Sequence, residues 1–226
     1  MYVQSGSVTL TNCSIVGNLL TYPYNSYGGG IYGGTLTITD GSIADNTSDG
    51  QGGGLYAVSG QVNGCLISGN TSALEGGGVW SNGSLTLSWT TVEDNHSSTT
   101  GGAWYKSYGT ALVQNCTVRN NSATTVGGLR LGSGLTTMLG SSFCGNGVNV
   151  HGSWTDSGGN SLTDDCGPQC PGDATGDGLV NAEDLAELFG SWGPCAGAPC
   201  VADFNGDGMV AGADLAITLS GWGACP

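Results

Sequence analysis

Apolar and polar residues alternate in short bursts along the first two thirds of the chain, and the bursts recur. An apolar residue stands three positions before an asparagine at Ile15/Asn18, Ile43/Asn46, Ile67/Asn70, Val92/Asn95, Val118/Asn121 and Phe143/Asn146. Five residues before each of these anchors lies another apolar residue, at Leu10, Ile38, Val62, Leu87, Val113 and Met138. A period of two predicts β-strands with one apolar face. Glycine triplets mark the same interval at Gly28–Gly30, Gly52–Gly54 and Gly76–Gly78, with weaker copies at Thr100–Gly102 and Val126–Gly128, so the starts lie 24, 24, 24 and 26 residues apart. About three short strands fill each repeat. Such a unit cannot bury its apolar face alone, but stacking on like units at ~4.8 Å builds one continuous interior. The pattern predicts a mainly β chain: a parallel β-helix of about six to seven coils over residues 1–166, rising roughly 30 Å over six coils. The asparagines then form a ladder whose amides bond from coil to coil.

The motifs GGGIY at Gly28–Tyr32, GGGLY at Gly52–Tyr56 and GGGVW at Gly76–Trp80, each followed by an Ile/Val-x-x-Asn element, resemble the repeats of chlamydial polymorphic outer membrane proteins and related bacterial right-handed β-helix proteins. The resemblance covers roughly residues 1–150. It implies a right-handed helix in a secreted or surface-displayed stalk, often adhesive. Phenylalanine, common before the asparagine in that family, stands here only at Phe143.

Glycine supplies 44 of 226 residues without a triplet period, which excludes collagen and an ordinary helical globule. Seventeen acids against three bases (Lys106, Arg119, Arg130) give a formal net charge of -14, so nucleic acid is not an expected partner. No apolar run approaches the ~20 residues of a membrane helix. Met1 leads directly into strand-like sequence, which reads as a truncated N-terminus. Parallel β-helices include pectin lyase-like enzymes, yet none of the three bases sits in an acidic cluster. The best carboxylate pair by register, Asp45 and Asp94 two coils apart, is separated by roughly 9.6 Å of backbone. These acids read as solvated surface groups, and His96 and His151 have no ligand companions. No catalytic residue is assigned; a polysaccharide lyase or glycoside hydrolase is the alternative reading. Tyr32, Tyr56, Trp80 and Trp104 recur every 24 residues after the glycines, with Arg130 next. Alternation turns them outward as a line of rings, a surface for a polysaccharide or a partner protein or a self-stacked ladder.

After Gly167 a different repeat begins, with an offset of 30 residues that aligns Asp173/Asp203, Asp177/Asp207, Asp184/Asp214 and Trp192/Trp222. Each copy has the spacing of a 12-residue calcium loop, over 173–184 and 203–214. Acids stand at positions 1, 5 and 12, an oxygen side chain at 3, glycine at 6 and a backbone carbonyl at 7. The first ligand set reads Asp173, Thr175, Asp177, the Leu179 carbonyl, Asn181 through water, and Asp184. The second reads Asp203, Asn205, Asp207, the Met209 carbonyl and Asp214; its position 9 is Ala211, so the second Ca2+ site is expected to be weaker.

Aspartate at position 12, a helix only after each loop and the near-duplication resemble type I dockerin domains, and the Trp-Gly-x-Cys endings resemble the cysteine-terminated variants. That resemblance implies an EF-hand-like calcium module at 167–226 that docks on a cohesin-like or other surface or scaffold protein. Positions 10 and 11, which meet cohesin in that family, are Ala182/Glu183 and Gly212/Ala213 here. Among nine cysteines, Cys13, Cys65 and Cys116 share one interior register as thiols. The rest allow Cys144–Cys166 plus either Cys170–Cys225 with Cys195–Cys200 or Cys170–Cys200 with Cys195–Cys225. Such usage favours a secreted or cell-surface setting.

Overall fold

The computed structural model describes the chain apart from residues 4–5, 22–26, 165, 167–170, 176–178, 196–199, 206 and 225–226. It divides into two compact units, Met1–Asp165 and Cys166–Pro226. The first is a parallel β-helix of about six turns whose strands form three sheets of eleven, seven and five strands. In the early coils the strand after the glycine turn runs on into the next as one piece, Ile31–Thr39 and Leu55–Asn63. Later coils split it into pairs such as Val79–Ser81 with Leu85–Ser88 and Trp104–Lys106 with Ala111–Gln114. The expected three strands per repeat therefore become four wherever a loop interrupts the large sheet.

Both predicted apolar rows lie in the core. Ile43, Ile67, Val92, Val118 and Phe143 are in register and essentially without exposure, as are Ile38, Val62, Leu87, Val113 and Met138. Burial of each such side chain contributes roughly 1.5–3 kcal/mol. The asparagine ladder closes the corner next to them. Asn46, Asn70, Asn95 and Asn121 each donate from Nδ2 to the Oδ1 of the next rung at 2.9–3.0 Å and to a carbonyl of the preceding coil at 2.8–2.9 Å. Backbone N–H groups of the same rungs bond to the same Oδ1 atoms. Each amide thus satisfies backbone groups that the bend takes out of the sheets.

Two corners of every coil hold a left-handed residue. One column is Asn12, Asp40, Gly64, Trp89, Asn115 and Gly140; the other is Gly17, Asp45, Gly69, Asp94, Asn120 and Gly145. Glycine next to Asp45 has a steric cause, since a Cβ on Gly69 would lie 2.4 Å from Asp45 Oδ1. Cys13, Cys65 and Cys116 are free thiols. Cys65 and Cys116 are interleaved with Thr90 and Ser141, and these side chains donate to the carbonyl two residues back.

The second unit contains helices α1 (Ala182–Gly190) and α2 (Gly212–Ser220). Leu179–Val180 pairs antiparallel with Gly223–Ala224, and Gly193–Pro194 with Met209–Val210, so each half begins against the end of the other. Leu188, Ala202 and Val210 form its small core. Cys195 is bonded to Cys200, which selects the first of the two symmetric disulfide sets; Cys170 and Cys225 lie outside the described residues. Cys144 and Cys166 are each disulfide-bonded.

Candidate functional site

The aromatic line departs from the sequence expectation at one position. Tyr2, Tyr32, Tyr56, Trp80 and Tyr105 stack along the outer face, with ring centroids 4.8, 5.0, 4.2 and 6.3 Å apart. Trp104 pairs instead with Val79 and points into the core, 1% exposed, where its Nε1 donates to Ser81 Oγ at 2.9 Å. The cause is one extra residue in that coil: Gly101, not Thr100, takes the place of Gly76, and Tyr105 takes the outer position. Interior residues Leu55, Val79 and Trp104 each stand nine residues after a ladder asparagine, so counting from asparagine rather than from glycine reveals the shift. Arg130 and then His151 follow Tyr105 in register.

Tyr27 leans on Tyr32 and Tyr56, and the rings at the centre of the line are covered, with Tyr56 9% and Trp80 6% exposed. Burial, then the neighbouring Tyr32, Tyr27 and Tyr108, push the Tyr56 hydroxyl up to about 12. Rings spent on one another in this way make a stabilising ladder rather than an open platform.

Asp45 and Asp94 occupy left-handed corners with Gly69 between them. Burial and the adjacent Glu93 push the Asp94 carboxyl up, against the opposing charge of Arg119. Arg119 itself pairs with Glu93 at 2.7 Å. His96 Nδ1 contacts Ser122 Oγ at 2.9 Å, in the next coil. Lys106, which the sequence reading left without a role, is fully buried; its Nζ donates to the carbonyls of Gly109 and Ser133 and ties two successive loops together. Burial lowers its pKa.

The second unit gathers the oxygen side chains. In the first loop Thr175 Oγ1 donates to Asp184 Oδ1 at 3.0 Å and lies 3.3 Å from Asp173 Oδ1, while Asp184 Oδ2 accepts from Asn181 N–H at 2.8 Å. Asn181 also caps α1, accepting from Glu183 N–H at 2.7 Å. Asp177 lies outside the described residues, and Leu179 begins the short antiparallel pair. In the second loop Asp203 Oδ1 and Asn205 Oδ1 accept from the same Asp207 N–H, at 3.2 and 2.9 Å. Asp207 Oδ1 accepts from Met209 N–H, and Asp214 takes N–H groups of Phe204, Asn205 and Ala211. Ala211 offers α2 no side-chain cap.

Asp184 and Asp214 are fully buried, and no basic residue follows Arg130. Burial raises their pKa values, but the converging N–H groups outweigh it and hold both carboxyls below the usual range. Charged, oxygen-only and without a counter-ion in the sequence of their own unit, these donor sets fit a hard cation such as calcium. The sulfurs of Cys195 and Cys200 beside Asp203 are bonded to each other and so are not thiolate ligands. Among the described residues no helix is long and apolar enough to cross a membrane. Comparison with protein-family models, with curated proteins and with solved structures finds no match to this chain.

Proposed function

We propose that this is a secreted or cell-surface, non-catalytic β-helix protein, attached to a cohesin-like or other scaffold partner through a calcium-dependent dockerin-like module at residues 167–226. The observation that carries the reading is the pair of matched loops, each ending in a fully buried aspartate at the third position of a helix. Asp173, Thr175, Asp177, the Leu179 carbonyl, Asn181 and Asp184 would hold one ion; Asp203, Asn205, Asp207, the Met209 carbonyl and Asp214 would hold the other. Bound calcium neutralises carboxylates that otherwise repel one another and so couples binding to folding. The second site is the weaker, because Ala211 supplies neither a water-bridging side chain nor a helix cap worth about 1 kcal/mol.

Limited chymotryptic digestion of the oxidised full-length chain tests this reading, since Phe189, Trp192 and Trp222 lie on exposed positions of the module. Calcium is expected to protect these sites after chelation, and Asp184→Asn with Asp214→Asn to abolish the protection. Identical digestion with and without calcium would sink the calcium-dependent module. A glycan-binding adhesin is the second reading, favoured by an uncharged groove on the β-helix.

A further inference from the structure

The outer face of the large sheet carries a groove of about 520 Å³ that crosses five successive coils. Its floor is one register row: Thr37, Gln61, Thr86, Leu112 and Thr137. Beside it runs a second row of hydroxyls. Thr35 Oγ1 and Ser59 Oγ are 3.1 Å apart, and Thr110 Oγ1 donates to Ser84 Oγ at 2.8 Å. Exposed Leu135 adds an apolar wall near Leu112 and Thr137.

The lining contains no ionisable side chain, in a chain that carries 17 acids and three bases. A uronate, sulfated or phosphorylated ligand would find no cation here, and a cationic ligand would find no carboxylate. Hydroxyl and amide groups both donate and accept, and here they repeat at the coil spacing of ~4.8 Å, so that five coils span roughly 19 Å in a straight line. Such a row matches a ligand that is itself straight, periodic, hydroxylated along its edges and apolar on its ring faces. We propose that the groove binds an extended, neutral β-1,4-linked hexopyranose chain lying along the helix axis. It binds without cleaving, because the groove holds no carboxylate pair to protonate the glycosidic oxygen or activate water. The site is separate from the aromatic ladder and from the calcium loops, and its occupation does not rest on the calcium reading.

Calorimetric titration of the full chain with cellohexaose and mannohexaose tests the proposal, with cellobiose as the length control and hexagalacturonate as the charge control. Saturable binding of a neutral hexaose is expected, tighter than that of cellobiose and unchanged when calcium is chelated. The near-isosteric variant Gln61→Leu/Thr86→Val/Thr137→Val should keep the wild-type melting temperature and lose about tenfold or more in affinity. Should that variant fail to fold, the single change Thr86→Glu, which places a charge on the groove floor, must produce the loss. The proposal is overturned if neither hexaose binds, if hexagalacturonate binds as well, or if the groove variants bind like the wild type.

Discussion

Replacing Asn95 with leucine removes one rung of the ladder while nearly preserving volume. The Asn95 Nδ2 donates to the carbonyls of Ile67 and Glu93 and to Asn121 Oδ1, each at 2.9 Å. Its Oδ1 accepts from Asn70 N–H at 3.0 Å and Asn70 Nδ2 at 2.9 Å. Five bonds at a fully buried site, at roughly 0.5–1.5 kcal/mol each, put the cost at about 3–7 kcal/mol. Asn18, on the first coil, donates from Nδ2 only to Asn46 Oδ1 and, at 3.4 Å, to the Val16 carbonyl, in an exposed setting. Asn18→Leu should therefore cost about 1 kcal/mol or less. Urea unfolding of the oxidised full-length chain, followed by the β-sheet circular dichroism signal, compares the two. A midpoint shift for Asn95→Leu no larger than that for Asn18→Leu would refute the idea that the interior rungs hold neighbouring coils together.

Three further outcomes follow from the corners and the ring ladder. Gly69→Ala should destabilise the chain by about 1–2 kcal/mol, from the left-handed backbone alone, plus displacement of Asp45. In an Asp45→Gly background the cost should shrink, and an equal cost in both backgrounds would remove the steric explanation. Trp89 holds a left-handed φ of 51° while two-thirds exposed, so Trp89→Gly should raise the unfolding midpoint, by about 0.5–1 kcal/mol. A lowered midpoint would instead assign the exposed indole a packing role. Tyr56, raised to about 12 in the fold from a model value of 10.0, contributes stability that is complete below pH 10 and falls away as pH rises towards 12. Tyrosinate absorbance should show one late-titrating ring that disappears in Tyr56→Phe; a single transition near pH 10 for all eight tyrosines would contradict this.

The ladder and both interior rows were legible because each lies at a fixed distance from an asparagine, and that distance survives changes in loop length. Counting from glycine failed at the one coil that carries an extra residue, and it turned Trp104 outward when its indole belongs in the core. Lys106 was illegible for a different reason. A charged residue in a strand reads as exposed, and only the folded chain brings the carbonyls of Gly109 and Ser133 to its ammonium group. The groove escaped notice because threonines alternating with apolar residues look like any solvated strand face; its concavity depends on how successive coils stack. Contiguous motifs fared better. The two loops at 173–184 and 203–214 are local in sequence, so the paired aspartates announced themselves before any fold was known.

Calcium titration calorimetry on the oxidised, chelator-stripped full-length chain tests the central claim most directly. Two binding events are expected, the second weaker, with Asp184→Asn removing the tighter one and Asp214→Asn the weaker. Absence of any binding heat, or a titration that both substitutions leave unchanged, would contradict the calcium module and leave the β-helix face as the remaining seat of function.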